Sequence, residues 1–212
     1  VDFDPQGSAT IAGGMGLDAG PLADAIIAGE PLPFVATPFG FDLACGGPDL
    51  SSVEPAITAK RPRDPAATLA KCLRGHDYDA LLLDCGPSFG FLMFNALVAS
   101  DLVLCPAQPA ILSVSALGEM LDTIQEFRGG GSSPELAGVV LTSVDGRSEA
   151  SNEEAREAIH ALAPGKLMDA EIHQAKVIQD AQQEGEPVGV FAPTSRAAKE
   201  HEALADELWR GM

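Results

Sequence analysis

Asp84 follows an unbroken apolar run, Ala80 to Leu83, and precedes a Cys-Gly-Pro-Ser turn. A short apolar run bounded by turn residues reads as a strand buried on both faces, as in a parallel sheet covered by helices. Ligands of such sheets sit beyond the carboxyl ends of the strands, so a carboxylate there points at whatever is bound. The same Asp also suits a strand-terminating cap of the next helix, its oxygen accepting a backbone N–H. The stretch by itself leaves both readings open.

Other chemically able residues carry less. Gly13, Gly14 and Gly16 superficially match the spacing of a nucleotide loop, but they follow no complete strand, and Gly-Lys-Ser/Thr occurs nowhere in the chain. Cys45, Cys72, Cys85 and Cys105 lie in or beside apolar segments without C-x-x-C spacing, which argues against zinc or a disulfide scaffold and for buried free thiols. His76, His160, His173 and His201 are scattered and are expected to pack rather than catalyse. Lys60, Arg61 and Arg63 form a basic cluster in a Pro-rich connection, read as a solvated loop.

The elements that must position Asp84 belong to a chain of 212 residues, enough for one domain with a real core. It has no apolar run near the roughly 20 residues of a membrane helix and no signal segment at its start, so a soluble, cytoplasmic protein is expected. The formal charge is 13 − 31 = −18, a long-range repulsion from nucleic acid.

Val1 to Asp4 read as the end of a strand, followed by a Pro-Gln-Gly turn. Pro21 to Gly29 reads as a short helix with Leu22 and Ile26 four apart, and a strand is expected around Phe39 to Cys45. Asp64 as N-cap, Pro65, then Leu69, Cys72 and Leu73 on one face predict a helix ending before Gly75. After Asp84 come a buried helix at Phe91 to Ala99 and a strand at Leu102 to Cys105. Val114, Leu117, Leu121 and Ile124 mark an amphipathic helix closed by Gly129 to Gly131. A strand at Gly138 to Leu141 leads to a helix with Ser151 and Glu154 as a capping-box pair and Ala155, Ile159 and Leu162 as its stripe. A short strand at Lys166 to Met168, a helix from Gln174 to Glu184 and a strand at Val188 to Phe191 follow. Thr194 or Ser195 caps a terminal helix with Ala197, His201, Leu204 and Leu208 on one side. Strands alternating with helices imply an α/β fold, a mostly parallel sheet with helices on both faces, in one domain spanning 1–212.

Three stretches go beyond fold class. VDFDPQGSAT, then YDALLLDCGPSFGFLMFNALVASDLVLCPAQPAILSVSAL, then GVVLTSVDGRSEAS with GVFAPTSRAAKEHEALADEL resemble, in this order, the ParA family of partition ATPases, within the ParA/MinD group with a deviant Walker A loop. The resemblance implies a P-loop NTPase-like fold, ATP and Mg²⁺ as cofactors, a homodimer and a ParB-like activator or cargo adaptor. It places Asp4 at the switch I carboxylate that positions the attacking water, and Asp84 at the Walker B acid that holds Mg²⁺ through water. Gly86, Pro87 and Ser88 match switch II, Gln6 falls on the nucleotide side of the first turn, and Pro193 lies in the segment near the adenine.

The family's KGGVGKT-type loop at the end of its first strand is not among these residues. The chain begins about one strand and one helix too late, so a sheet lacking the first strand, phosphate loop and first helix is expected, with ATP bound weakly or not at all. A truncated longer ATPase is the favoured explanation, ahead of a split protein completed by another chain or a domain that closes the gap itself. The alternative function is a nucleotide-independent ParA-like binding or regulatory module. The family's DNA-contacting half retains Arg147, Lys176, Arg196 and Lys199, a thin patch against the net charge, which disfavours nonspecific DNA binding.

Overall fold

In the computed structural model, which describes residues 1–18, 21–88, 90–128 and 134–211, Leu22 and Ile26 form the buried face of a helix that Gly29 closes in the left-handed conformation. This is the local logic the sequence predicts: a spacing of four for packing, and a residue without Cβ where φ is 76°. The helix belongs to the first of two units into which the chain divides, Val1–Ser100 with Gln182–Pro187; the second is Asp101–Ala181 with Val188–Met212.

The first unit runs Asp2–Phe3 (β1), Ser8–Ala12 (α1), Leu22–Ala28 (α2), Val35–Ala36 (β2) and Asp42–Leu43 (β3). A 3-10 turn at Pro48–Ser52 then leads into Val53–Lys60 (α3), followed by Thr68–Cys72 (α4), Asp84–Cys85 (β4) and Phe91–Ala99 (α5). β1 and β4 are parallel, with Asp2 opposite Asp84 and Phe3 opposite Cys85; β2 and β3 are antiparallel. Phe3, Leu22, Ile26, Leu50, Val53 and Leu69 are fully buried together. Each such large side chain stabilises the unit by about 1.5–3 kcal/mol relative to exposure.

Two expectations for this unit change. Ladder pairing falls on Asp84–Cys85 rather than on Ala80–Leu83, and Leu82 is 80% exposed. The run has one covered face: Leu81 and Leu83 are half-buried while Ala80, Leu82 and Asp84 are exposed. The helix expected from Asp64 begins at Thr68; Asp64 Oδ1 accepts the Ala67 N–H at 3.3 Å, one turn ahead. The first amides of α4 are held instead by buried Asn95 of α5, whose Oδ1 accepts from Thr68 N (3.1 Å) and Leu69 N (3.2 Å). The strand expected around Phe39 to Cys45 is confined to Asp42–Leu43.

The second unit runs Leu102–Ala107 (β5), Ile111–Arg128 (α6), Glu135–Val144 (β6), Glu149–Leu162 (α7) and Leu167–His173 (β7). Lys176–Glu184 (α8), whose last turn belongs to the first unit, Val188–Phe191 (α9) and Arg196–Gly211 (α10) complete it. The sheet is parallel in the order β5-β6-β7. Val139, Val140 and Leu141 point alternately to opposite faces and are all at most 2% exposed, so both faces of the sheet are covered, as the apolar run predicts. Val140, Met168 and Ile172 pack with Leu204 and Leu208 of α10. The outer edge of β7 is closed by α10 carboxylates: Glu207 accepts from Asp169 N (2.8 Å) and Ala170 N (2.9 Å), and Glu200 from His173 N (2.9 Å).

Here too some local expectations are corrected. Val188–Phe191 is a helical turn, closed by Ala192 N donating to Val188 O at 3.0 Å; a four-residue apolar run does not distinguish strand from helix. Ser151 is not a cap, because α7 starts at Glu149; its hydroxyl donates to Pro109 O, and Leu162 of the expected stripe is 45% exposed. Ser195 does cap α10, accepting the Ala198 N–H at 3.1 Å. The Gly129 to Gly131 helix stop lies outside the described residues. All four cysteines are free thiols, and burial pushes Cys85 and Cys105 each up to about 11. Among the described residues no helix is long and apolar enough to cross a membrane.

One contact in the first unit gives a sharp test of the packing. Gly46 runs so close to β1 that a Cβ there would lie 2.2 Å from the carbonyl oxygen of Asp2. Backbone cannot rotate away as a side chain can, so Gly46→Ala must displace β1. The expected cost is about 3 kcal/mol, at the upper end of ordinary overpacking. Gly118, in α6, has nothing within 4 Å of the position that a Cβ would take, and Gly118→Ala should stabilise by about 0.5–1 kcal/mol. Urea unfolding of the two variants checks both signs.

Candidate functional site

β1 ends at Phe3 and the chain turns at once. Asp4 Oδ1 accepts the Gln6 N–H at 2.9 Å and the Asp4 carbonyl accepts the Gly7 N–H at 3.0 Å, a side-chain-stabilised turn. Gly7 has φ 67° and a Cβ on it would meet Leu17 at 2.2 Å, so the turn requires glycine there. Asp4 is half-buried and Gln6 exposed.

The parallel pairing of β1 with β4 brings the two strand ends together. A Cβ on Gly86 would lie 3.1 Å from the carboxyl carbon of Asp4, so Asp4 rests directly over the bare backbone after β4. Asp84 stands opposite Asp2 and is exposed on the same side of the strand as Leu82. It does not cap the next helix: the N-cap of α5 is Gly90. Asp84 also borders an open groove of ≈ 670 Å³ lined by Val1, Ala9, Phe41, Leu43, Tyr78 and Leu82, among others.

The charged side chains of this corner are all acidic. Among the described residues neither Asp2, Asp4 nor Asp84 has a hydrogen bond or ion pair from Lys or Arg. Loss of water around its carboxyl, then the carboxylates of Asp2 and Asp4, push Asp84 above the ordinary carboxylate range. Its ionised form is therefore disfavoured in the folded chain. Stability is highest below the unfolded pKa and falls as pH rises through the folded one. Asp84→Asn should accordingly raise Tm slightly at pH 7, the gain being reduced by solvent screening of an exposed side chain, and have little effect near pH 3, which calorimetry at the two pH values would show.

A lone, raised carboxylate beside a second acid fits a divalent cation held through water, because a cation would relieve the repulsion. Among the described residues no three His, Cys, Asp or Glu side chains gather to hold a metal by themselves. The phosphate half is different. Gly13 ends α1, Gly14 lies against Phe39 and Gly185, and Lys60 donates to Ile27 O, so neither the glycine cluster nor this lysine forms a cradle.

The remaining sequence candidates fall as follows. Gly86 is half-buried, and Pro87 and Ser88 are exposed in the segment leaving β4. Pro193 is exposed in the turn between α9 and α10 of the second unit. Of the four basic residues considered for DNA, three are paired with acids: Arg147 with Asp145, Lys176 with Asp180 and Arg196 with Glu200. The residue that sequence reasoning passed over is Asp2. It is fully buried, and only its two-residue spacing from Asp4 hinted that both face the same side.

A protein family described as an AAA domain matches residues 1–136. The chain is 32% identical over 210 residues to the chromosome-partitioning ATPase Soj of Thermus thermophilus, covering 98% of this chain and 81% of the relative. It is 29% identical over 223 residues to the chromosome partitioning protein ParA of Caulobacter vibrioides, covering 98% and 80%. The structure of cobyrinic acid a,c-diamide synthase from Mycobacterium smegmatis with bound ADP and magnesium is similar with a TM-score of 0.80 at 24% identity, covering 99% of this chain and 80% of that one, a likeness of fold.

Proposed function

The chain belongs to the ParA/MinD family of partition ATPases and has a P-loop NTPase-like α/β fold, and from that premise we propose that its strand-end acids are the metal and water half of an ATP site. The observation that carries this reading is the placement of Asp4 over Gly86, one strand from Asp84. Asp84 anchors Mg²⁺ through water, and Asp4 orients the water that attacks the γ-phosphate. Gly86, Pro87 and Ser88 follow the γ-phosphate, Gln6 borders the nucleotide from the first turn, and Pro193 packs near the adenine. Bound magnesium supplies neutralisation of the phosphate charge.

Residues 1–212 act in this reading as a single ParA-like domain. It works as a homodimer with a ParB-like activator or cargo adaptor, in positioning DNA or another cargo. Direct nonspecific DNA binding is weak, since three of the four candidate cations are already paired and the net charge is −18. These 212 residues supply carboxylates but no phosphate-holding lysine loop, so on their own they bind Mg-ATP weakly. That same observation favours the second reading, a nucleotide-independent binding or regulatory module.

The test uses the chain preceded by a strand and a loop of the KGGVGKT form. Asp84→Ala should weaken Mg-ATP binding in that protein by about 10–100-fold, the usual effect of removing a carboxylate that acts on a metal through its water. Titration calorimetry reads the affinity. Failure of the loop-bearing chain to bind Mg-ATP at all would favour the second reading.

A further inference from the structure

We infer that Asp2 is a positioning residue for Asp4, fixing both ends of the turn that carries the Asp4 carboxylate; the inference rests on the reading of Asp4 given above. Asp2 is 0% exposed, and among the described residues no cation pairs with it. A buried carboxylate without a counter-charge is costly unless hydrogen bonds satisfy it. Here they do, and they all run to the flanks of one turn. Oδ1 accepts the Asp4 N–H at 3.3 Å, at the turn's entrance. Oδ2 accepts both the backbone N–H and the hydroxyl of Thr10, each at 2.7 Å, in α1 at its exit. Thr10 Oγ1 in turn accepts the Gly46 N–H at 2.9 Å, tying α1 to the segment that follows β3.

The consequence is directional. Asp4 reaches Gly86 only if the turn between Phe3 and Ser8 keeps its shape, and the ends of that turn are held by one side chain. A carboxylate can accept from three donors at once, which no neutral side chain of similar size does. Asp2 thus touches neither nucleotide nor water; it sets where Asp4 stands. Its charge also contributes to pushing Asp84 up, so the residue acts on both acids while exposed to neither.

Asp4 and Gly86 are close enough that ionisation of Asp4 should move the Gly86 amide resonance, a readout that needs no nucleotide. In the 212-residue chain this titration is expected, and Asp4→Asn should remove it. Asp2→Asn keeps the shape but places a donor or a single acceptor where three donors converge. It should cut the amplitude of the Gly86 titration at least threefold and speed Thr10 amide exchange at least tenfold. Thr10→Ser, which keeps the hydroxyl, should leave both within twofold. If Asp2→Asn does not fold, Thr10→Val, which keeps the backbone N–H bond to Asp2 and loses the hydroxyl's bonds to Asp2 and Gly46, should still reduce the Gly86 amplitude.

Faster Thr10 exchange with an unchanged Gly86 titration would reduce Asp2 to a packing role and overturn the inference. So would a wild-type Gly86 resonance that ignores Asp4. Because no ATP is involved, failure of the ATP-site reading would show in the calorimetry and not here.

Discussion

A polypeptide of these 212 residues should bind Mg-ATP about ten-thousandfold more weakly than the same chain carrying a strand and a KGGVGKT loop ahead of it. The figure follows from counting donors. Charge-assisted hydrogen bonds are each worth about 1.5–3 kcal/mol, and a loop of this kind supplies at least about four, hence on the order of 6 kcal/mol. The acids that remain add no attraction of their own: Asp2, Asp4 and Asp84 cluster without a Lys or Arg partner among the described residues, and Asp84 is already raised, first by loss of water around its carboxyl and then by its acidic neighbours. A tetra-anionic nucleotide meets repulsion there until magnesium accompanies it. Equilibrium binding of a fluorescent ATP analogue to the two proteins, with and without Mg²⁺, measures the ratio. A ratio near one would mean that this chain holds phosphates by groups not considered above.

The second large effect is expected at Asp4. Its carboxylate is fixed by the Gln6 N–H and held over Gly86, yet the side chain is only half-buried and has no cationic partner among the described residues. Under the proposed reading it orients a water rather than holding the fold together. Asp4→Ala should therefore lower turnover in the loop-bearing chain by about 10²–10⁴-fold, the usual range for loss of a group that handles a proton or a water in the transition state. Mg-ATP affinity should stay within about threefold, because an interaction made only in the transition state alters turnover and leaves binding alone.

Much of this was legible from residue spacing. Leu22 and Ile26 with Gly29 gave α2, Phe91 to Ala99 gave α5 at its observed limits, and Gly138 to Leu141 gave a strand that lies within β6. The family resemblance carried by the D-x-D-P-Q-G segment and the Asp-Cys-Gly-Pro-Ser turn implied two acids at adjacent strand ends, and β1 and β4 pair in parallel. What pattern could not supply was context. Ala80 to Leu83 has the composition of a doubly covered strand, but it alternates between half-buried and exposed, so packing covers one face only. Val188 to Phe191 is too short for periodicity to distinguish strand from helix. Asn95 and Asp2 act through long-range hydrogen bonds, Asn95 to amides 26 and 27 residues away and Asp2 into a network reaching Gly46, and no local pattern encodes such partners.

The central claim is that Asp84 and Asp4 divide the metal and water tasks of one ATP site, and single-turnover hydrolysis of Mg-ATP by the loop-bearing chain tests it most directly. With enzyme in excess and nucleotide fully bound, wild-type protein should hydrolyse ATP, and Asp4→Ala should retain the nucleotide while cleaving it about 10²–10⁴-fold more slowly. Cleavage by Asp4→Ala at the wild-type rate would contradict the claim.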